Sequence, residues 1–247
     1  MNAAVEVENL AKVYGGLRAV DGVSLRVAPG ERRALIGPNG AGKTTLFHCV
    51  TGTQRASSGR VQLFEHDVTH LPEYRRTELG MGRTFQITNV LTDLSLAENL
   101  ALSIVGTDRR KWIFHRSLAA FPAIRERALA GLEAVGLAGR ADQPVKLLSY
   151  GERRQLELAL ALNTDPRVLF LDEPCAGLAP SERTRIFKIV RALPRDITVV
   201  LIEHDMDVAL GLADHVTVMH RGRVMAEGTP DVVQVNPEVR DVYFGHV

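Results

Sequence analysis

Residues 34–44 read Ala-Leu-Ile-Gly-Pro-Asn-Gly-Ala-Gly-Lys-Thr, and this stretch decides the fold. The apolar run at residues 34–36 predicts a fully buried strand, and residues 43–50 predict a helix that ends at Gly52. Between them, residues 37–44 match the pattern G-x-x-x-x-G-K-[S/T] in full. Glycines in such a loop let backbone N–H groups turn inward around phosphates, and the helix N-terminus adds partial positive charge. An ordinary glycine turn before a helix is the alternative, but the strand–loop–helix context favours a phosphate-binding loop.

Two side chains of this loop are predicted to contact the phosphates and the metal ion. Lys43 is expected to reach the β- and γ-phosphates of a nucleotide, and the Thr44 hydroxyl is expected to ligate Mg²⁺. The residues expected to contact the nucleotide are Gly37, Pro38, Asn39, Gly40, Ala41, Gly42, Lys43, Thr44 and Thr45.

Strand signals lie on both sides of the phosphate loop. Alternating apolar residues predict half-buried strands of an antiparallel sheet near residues 5–7, 23–27 and 61–63. Short, wholly apolar runs predict parallel-sheet strands at residues 168–171 and 198–202. A charged helix is predicted between these two runs at residues 181–193, and a final hairpin is predicted to turn at Arg221-Gly222.

The middle of the chain has a different pattern. From residue 94 to residue 145 strand signals vanish, and Ala, Leu, Arg and Glu recur at helical spacing, as in residues 124–135. We interpret residues 94–145 as a helical insertion in a single domain that spans residues 1–247. The predicted fold class is α/β: a phosphate-loop (RecA-like), mostly parallel core over residues 1–93 and 146–247, with an antiparallel β subdomain and the inserted helical subdomain.

Composition limits the class of protein further. The chain has 247 residues, 45% hydrophobic and 24% charged, which suits one large domain or one domain with a small insertion. A formal net charge of +1 argues against a dedicated nucleic-acid binder. Cys49 and Cys175 lie far apart without CxxC spacing, and a chain of this length can bury enough surface without disulfides, which favours a reducing compartment. Residues 1–8 lack a signal-peptide core, and the longest apolar runs are far short of the roughly 18 residues of a membrane span. We therefore expect a soluble, intracellular protein.

Polar residues follow the two predicted parallel strands. Because parallel strands end at the same sheet edge, Asp172 is expected to hold Mg²⁺ there and Glu173 to accept a proton from an attacking water. A solvated acidic turn is the alternative. His204 follows the next strand and could reach a γ-phosphate, although a lone histidine is more often a surface or core residue.

Residues 148–155 read Leu-Ser-Tyr-Gly-Glu-Arg-Arg-Gln and precede an apolar helix at residues 156–162. Ser149 and Glu152 fit the capping box S-x-x-E, which is the simplest interpretation. The same geometry is also an exposed helix N-terminus with a hydroxyl and the Gly151 N–H, which makes a second anion site. One chain cannot easily fold both anion sites onto one triphosphate, whereas two chains packed head to tail could.

The ordered set of these motifs resembles the nucleotide-binding subunit of an ABC transporter, from about residue 5 to residue 228. The segments that carry the resemblance are Tyr14, 37–44, Thr84-Phe85-Gln86, 148–155, 169–174 and Glu203-His204. The resemblance implies ATP with Mg²⁺, hydrolysed with Glu173 as the base. It also implies that Tyr14 stacks on adenine and that Gln86 touches Mg²⁺ and the attacking water. Ser149, Gly151 and the adjacent Glu152 would bind the γ-phosphate held by the opposite subunit, and His204 would hold the γ-phosphate of its own subunit.

A finer resemblance is to the ATPase subunits of branched-chain amino-acid importers. It is carried by residues 83–86, the long helical stretch that follows, and residues 202–206, 226–230 and 242–245. Related importers of urea, amides or aromatic acids share these motifs, which do not separate the cargoes. The resemblance implies a second ATPase subunit, identical or paralogous, membrane permease subunits and, indirectly, a periplasmic or extracellular solute-binding protein. It further implies a peripheral location on the cytoplasmic face of the inner membrane, with a coupling groove near residues 86–96.

Two residues depart from the family pattern. Tyr150 replaces the first glycine of the usual S-G-G-[Q/E], which reduces local backbone freedom. Ala179 stands where an Asp or Asn commonly links the two nucleotide sites, so that coupling is in doubt. The basic stretch at residues 109–112 is either a solvated face or a contact with the permease or anionic headgroups.

Two alternative functions are open to a chain with a phosphate loop. A soluble ABC-type ATPase acting on ribosomes or DNA would commonly carry two nucleotide domains or long coiled coils, and neither is visible here. A phosphate-loop kinase or GTPase leaves residues 148–155 unexplained.

Overall fold

A computed structural model of the chain describes residues 3–84, 90–107 and 121–244. The chain forms two compact units. Unit 1 comprises Met1–Met81, Arg167–Glu173 and Leu193–Val247, and unit 2 comprises Gly82–Pro166 and Pro174–Ala192. Within the described ranges, the helices are all too short or too polar to cross a membrane.

The strands, in chain order, are β1 (Val5–Tyr14), β2 (Leu17–Val27), β3 (Arg32–Ile36), β4 (Ser58–Leu63), β5 (His66–Asp67), β6 (Met81–Arg83), β7 (Val168–Asp172), β8 (Thr198–Ile202), β9 (His215–His220) and β10 (Arg223–Gly228). The α-helices are α1 (Lys43–Thr51), α2 (Glu73–Glu78), α3 (Leu96–Thr107), α4 (Pro122–Ala134), α5 (Tyr150–Leu162), α6 (Pro180–Ala192), α7 (Met206–Leu212), α8 (Pro230–Gln234) and α9 (Pro237–Phe244). Short 3₁₀ turns lie at Ala138–Arg140 and Val145–Leu147.

The predicted antiparallel strands form a four-stranded sheet in the order β2-β1-β4-β5. Val5 pairs with Val27 on one side and with Leu63 on the other. All three side chains are buried, and their polar neighbours along each strand are more exposed. The alternation in the sequence therefore reports one buried and one solvated face, as predicted.

The second sheet carries the phosphate loop and has the order β10-β9-β3-β8-β7-β6. Strand β3 pairs in parallel with β8 and β9, and β8 pairs in parallel with β7, while β10 is antiparallel to β9. Every residue of β3, β7 and β8 is buried, which explains the apolar runs at residues 34–36, 168–171 and 199–202 within them. The parallel pairing places the carboxyl ends of these strands at one edge, where the sequence predicted the site.

The end of α1 and the last hairpin turn lie where the sequence predicted them. Gly52 ends α1 with φ of +90° and donates its N–H to the carbonyl of His48. Arg221 and Gly222 both have positive φ, 47° and 79°, which is the pattern of a two-residue type I′ hairpin. Helices α4 and α6 each begin earlier than predicted, at Pro122 and Pro180, because proline suits the first helical turn.

Unit 2 is wider than the predicted insertion at residues 94–145. The two ends of that segment meet: Ser95 and Pro144 form a β-bridge, and the Val145 N–H donates to the carbonyl of Leu94 at 3.0 Å. The unit also includes α5 and α6, because the apolar faces of these helices pack within it. Ser95 and Glu98 form a capping box at the start of α3, and this S-x-x-E pattern in the sequence marks where the helix begins.

A buried arginine caps the C-terminal end of α1, the helix that follows the phosphate loop. Arg76 is 1% exposed, and its guanidinium donates to the carbonyls of Cys49, Val50 and Leu71. Burial lowers the pKa of Arg76 to about 10. Because Cys49 and Val50 lie in the last turn of α1, the cation satisfies carbonyls at the negative end of the helix dipole.

Replacing Arg76 by Ala should lower the free energy of unfolding by about 3 kcal/mol, because it leaves buried carbonyls without donors and creates a cavity. Urea denaturation of the nucleotide-free protein measures this change. The matched control is Arg75→Ala on the same helix, since the Arg75 side chain is 56% exposed and contacts the exposed Glu78 carboxylate and Tyr74 ring. Equal shifts in the two midpoints would contradict a structural role specific to Arg76.

Candidate functional site

The path of the phosphate loop requires glycine at two positions. Gly37 and Gly42 have φ of +151° and +98°. A Cβ atom on Gly37 would lie 2.2 Å from the Met219 carbonyl oxygen, and one on Gly42 would lie 2.3 Å from the Ala19 carbonyl oxygen. These backbone walls hold the loop in a path that side chains would block. The Gly222 N–H also donates to the Ala41 carbonyl at 2.9 Å, so the β9–β10 hairpin supports the loop as well.

Lys43, the first residue of α1, is 7% exposed. Its Nζ donates to the carbonyls of Gly37 at 2.6 Å and Pro38 at 3.0 Å. Burial lowers the pKa of Lys43, and the charges of Glu173 and Asp172 oppose that change. The loop thus holds a buried cation on its own carbonyl oxygens, in the position where phosphate oxygens could replace them.

A cavity of about 550 Å³ opens beside the loop in unit 1. Seven of the nine predicted loop residues line it: Asn39, Gly40, Ala41, Gly42, Lys43, Thr44 and Thr45. Tyr14 and Glu173 line it too, as the two predicted site residues from other elements. A concave space with backbone N–H groups and one buried cation is suited to a polyphosphate with an attached ring system.

Tyr14 ends β1 at the wall of this cavity and is 44% exposed. Its hydroxyl donates to the Gln54 carbonyl oxygen Oε1, and the Lys12 Nζ lies 4.9 Å from the ring centroid. The ring is therefore fixed at its edge by hydrogen bonding while part of its surface remains accessible.

The predicted carboxylates occupy different environments. Asp172 ends β7 and is 1% exposed, whereas the Glu173 side chain is 33% exposed and lines the cavity. Glu173 has a left-handed φ of +47° and donates its N–H to the carbonyl of Ile202 at 3.0 Å. A non-glycine residue in that conformation is uncommon and occurs often at functional sites.

His204 follows β8 at the same sheet edge. Its Nδ1 lies 3.8 Å from Glu173 Oε2, and its side chain is 54% exposed. The adjacent Asp205 caps α7, because its Oδ1 accepts from the N–H groups of Asp207 and Val208. The structure therefore brings His204 and Glu173 together, as the sequence order predicted, and uses Asp205 for local structure.

In unit 2, Ser149 is the N-cap of α5 and forms a complete capping box. Its Oγ accepts from the Glu152 N–H at 3.2 Å, and Glu152 Oε2 accepts from the Ser149 N–H at 2.9 Å. Glu152 also pairs with Arg140. Burial raises the pKa of Glu152, but the Ser149 N–H and Arg140 together hold it below its usual value. Helix α5 thus begins at Tyr150, six residues before the apolar run that predicted it.

Both departures from the family pattern, Tyr150 and Ala179, lie in unit 2. A Cβ atom on Gly177 would lie 3.5 Å from the Tyr150 ring, and the Tyr150 hydroxyl accepts from Arg154 at 3.2 Å. Ala179 directly precedes α6, and its N–H donates to Glu182 Oε2 at 3.2 Å. A glutamate within the helix therefore caps the residue that has no side-chain oxygen of its own.

Gln86 and the basic stretch at residues 109–112 lie outside the described residues. The sequence analysis missed the other residues that line the cavity: Leu17, Arg18, Ala19, Arg221 and Gly222. The hairpin at Arg221-Gly222 was predicted, but not its place in the site. The segment 17–19 carries no motif, since its role depends on where the backbone of β2 passes.

Replacing Lys43 by Ala should raise the Kd for ATP at least about tenfold, because a charge-assisted contact to phosphate is worth roughly 1.5–3 kcal/mol. Fluorescence titration with a labelled ATP analogue measures it. Lys188→Ala, at an exposed position of α6, is the control and should leave the Kd unchanged. Tight retention of ATP by the Lys43 variant would refute the assignment of the loop.

The described site defines a class of protein. A buried parallel strand, a glycine loop with a buried lysine, and a carboxylate at the end of another parallel strand of the same sheet together make a phosphate-loop nucleotide-binding protein.

Comparison with known proteins narrows that class. Residues 20–176 match the family model for ABC transporters, and residues 223–247 match the model for branched-chain amino acid ATP-binding cassette transporters. The chain belongs to the ABC transporter family, in which it is an ATP-binding and ATP-hydrolysing subunit.

Its relatives include well-described members of that family. The chain is 38% identical over 251 residues to the high-affinity branched-chain amino acid transport ATP-binding protein BraF of Pseudomonas aeruginosa, covering 98% of this chain and 97% of BraF. It is also similar to the ADP conformation of an ATP-binding cassette (33% identity, TM-score 0.86, 100% of both chains). A dimeric cassette in a post-hydrolysis state with ADP and Pi is 25% identical, with a TM-score of 0.79 over 92% of this chain and 98% of that one.

Proposed function

We propose that this chain is the ATPase subunit of an importer for branched-chain amino acids. The observation that carries the proposal is the similarity to BraF over nearly the full length of both chains, together with the match at residues 223–247. Importers of urea, amides or other small acids are the alternative, because the ATPase subunit does not contact the cargo. The nearest test is co-purification with a permease and measurement of the amino acids whose uptake stops when the gene is deleted.

The nucleotide would bind in the cavity of unit 1. The loop N–H groups and the Lys43 ammonium would hold the β- and γ-phosphates, and the Tyr14 ring would stack on adenine. The support is geometric, since all of these groups line one cavity or form its loop.

The donor set at the sheet edge suits Mg²⁺. The Thr44 hydroxyl and the Asp172 carboxylate are hard oxygen ligands of the kind that Mg²⁺ prefers, and Gln86 would add an amide oxygen. When bound with ATP, the ion would neutralise negative charge on the phosphates. Thr44 lines the cavity, and Asp172, the last residue of β7, directly precedes Glu173, which also lines it.

Glu173 is proposed as the base of the hydrolysis reaction. Its side chain lines the cavity, where it would orient a water molecule and take its proton as the water attacks the γ-phosphorus and ADP leaves. His204, 3.8 Å from Glu173, would contact the γ-phosphate from the same sheet edge.

The site would be completed by a second subunit. Ser149, Gly151 and Glu152 at the start of α5 would close over the γ-phosphate held by the other subunit, identical or paralogous. A related cassette is a dimer in its post-hydrolysis state. ATP would then favour the closed pair and hydrolysis would release it, a shift between two populations.

Movement of the pair would be passed to membrane permease subunits, with the chain peripheral on the cytoplasmic face of the inner membrane and a periplasmic solute-binding protein as an indirect partner. The coupling groove is proposed near residues 86–96. Of its described part, Leu91 is 53% exposed, and the buried Asn99 side chain fixes its backbone by accepting from the Leu91 N–H at 2.9 Å and donating to its carbonyl. An exposed leucine on a fixed loop is suited to docking a helix of a permease. No nucleic acid is among the proposed partners.

The adenine contact can be tested with a matched pair of variants. Tyr14→Phe keeps the ring and loses only the hydrogen bond to Gln54, so the Kd for ATP should change less than about threefold. Tyr14→Ala should raise it about tenfold, because stacking of a base on an aromatic ring is worth roughly 1–3 kcal/mol. Equal affinities of the Phe and Ala variants would remove Tyr14 from the adenine site.

The role of Glu173 can be tested by Glu173→Gln. This variant should bind ATP, lose about 10²–10⁴-fold in hydrolysis rate and accumulate as a dimer with ATP, because a placed general base contributes about that much. Phosphate release and size-exclusion chromatography with and without ATP measure both effects. Glu65→Gln, at an exposed position in the β4–β5 turn, is the control. Near-normal turnover of the Glu173 variant would exclude this residue as the base.

A further inference from the structure

A carboxylate of the chain itself, that of Glu182, lies at the start of helix α5. Glu182, in the first turn of α6, places Oε1 3.4 Å from the Ser149 Oγ, and its Oε2 accepts from the Ala179 N–H at 3.2 Å. One carboxylate thus contacts the starts of two helices. Helix N-termini favour negative charge, so this position is electrostatically suitable for it.

Gly151 shows how close this carboxylate approaches α5. A Cβ atom on Gly151 would lie 2.3 Å from the Glu182 carboxyl carbon and from Oε1. The carboxylate therefore lies against the Gly151 backbone, beside the hydroxyl of Ser149. These two residues are the ones proposed above to bind the γ-phosphate of the other subunit.

Capping of helix α6 explains the position of Glu182 Oε2 but not that of Oε1. Glu182 is the third residue of α6, where a glutamate commonly accepts the N–H of the residue before the helix. That cap uses Oε2 and Ala179. It does not require Oε1 to lie beside Ser149 or the carboxyl group to cover Gly151.

We propose that Glu182 is a stand-in for phosphate that sets how much ATP the subunits need in order to pair. It fills the anion position at the start of α5 in the separate subunit, and the γ-phosphate of the partner's nucleotide must displace it from Ser149. This inference rests on the proposed function, because it requires the phosphate to arrive from a second subunit.

The direction of the effect follows from charge. A carboxylate and a γ-phosphate cannot both occupy the start of α5, since both are anionic and both use the Ser149 hydroxyl and the same helix N-terminus. Each pairing event displaces two copies of Glu182, one in each subunit. The resident carboxylate therefore shifts the equilibrium toward separate subunits until ATP is abundant.

The test compares ATP-dependent pairing in a background that does not hydrolyse ATP. Glu173→Gln and the double variant Glu173→Gln/Glu182→Gln are titrated with ATP, and the dimer fraction is followed by light scattering. The Gln side chain keeps an oxygen for the Ala179 N–H and loses the charge. The ATP concentration at half-maximal dimer should fall about fivefold, as two lost charge–helix interactions of typical strength predict. Glu173→Gln/Glu126→Gln, which removes an exposed charge from α4, should leave it unchanged.

The outcomes separate this inference from the proposed function. An unchanged or higher ATP requirement in the Glu182→Gln double variant, with normal pairing of the parent, would overturn the inference alone. The absence of an ATP-dependent dimer in every variant would overturn the proposed function and this inference with it. Misfolding cannot imitate the expected result, because the expected result is a gain. In the hydrolysing protein, Glu182→Gln should also lower the KM for ATP more than it changes kcat.

Discussion

The backbone path of the phosphate loop is the constraint on which the rest of unit 1 depends. Two carbonyl oxygens, of Met219 and Ala19, leave no space for a Cβ atom at Gly37 and Gly42. Within that path the Lys43 ammonium is buried, with its hydrogen bonds made by the loop. Strand β3 delivers the loop, β2 and the β9–β10 hairpin form its walls, and α1 carries its partial charge. A substitution at either glycine would therefore move the cation as well as the backbone, and the nucleotide site would be lost before the fold is.

The two units hold complementary halves of the same chemistry. Unit 1 has a cavity with a buried lysine and an accessible carboxylate, Glu173, at the end of a strand. Unit 2 has a capped helix N-terminus at Ser149, and two carboxylates of the chain lie there: Glu152 in the capping box and Glu182 beside the Ser149 hydroxyl. A helix start that holds a carboxylate is chemically able to hold a phosphate. In the proposed cycle, pairing of the subunits is a competition between two anions, the γ-phosphate and the Glu182 carboxylate, for the start of α5.

The sequence predicted those features whose causes are local. The glycine–lysine loop, the strand alternation, the stop at Gly52 and the hairpin at Arg221-Gly222 each depend on residues within a few positions, and the structure confirms them. The sequence could not predict features that depend on backbone far away along the chain. Arg75 and Arg76 are adjacent arginines, and the neighbouring sequence does not tell them apart. Arg76 is the buried one because it donates to carbonyls at the end of α1. The close approach of a carboxylate to Gly151 likewise comes from Glu182, which is distant in sequence. The roles of Gln86, Ser149 and His204 at the nucleotide stay predictions.

The central claim, that a working site is shared between two subunits, is most directly tested by mixing two inactive variants. Lys43→Ala disables the phosphate loop, and Ser149→Asp keeps a helix-capping side chain but places a negative charge at the start of α5, where phosphate would be repelled. Each variant alone should hydrolyse little ATP. An equimolar mixture should regain hydrolysis, because a mixed pair contains one intact loop facing one intact helix start. Full hydrolysis by Ser149→Asp alone, or a mixture as inactive as its components, would contradict a shared site.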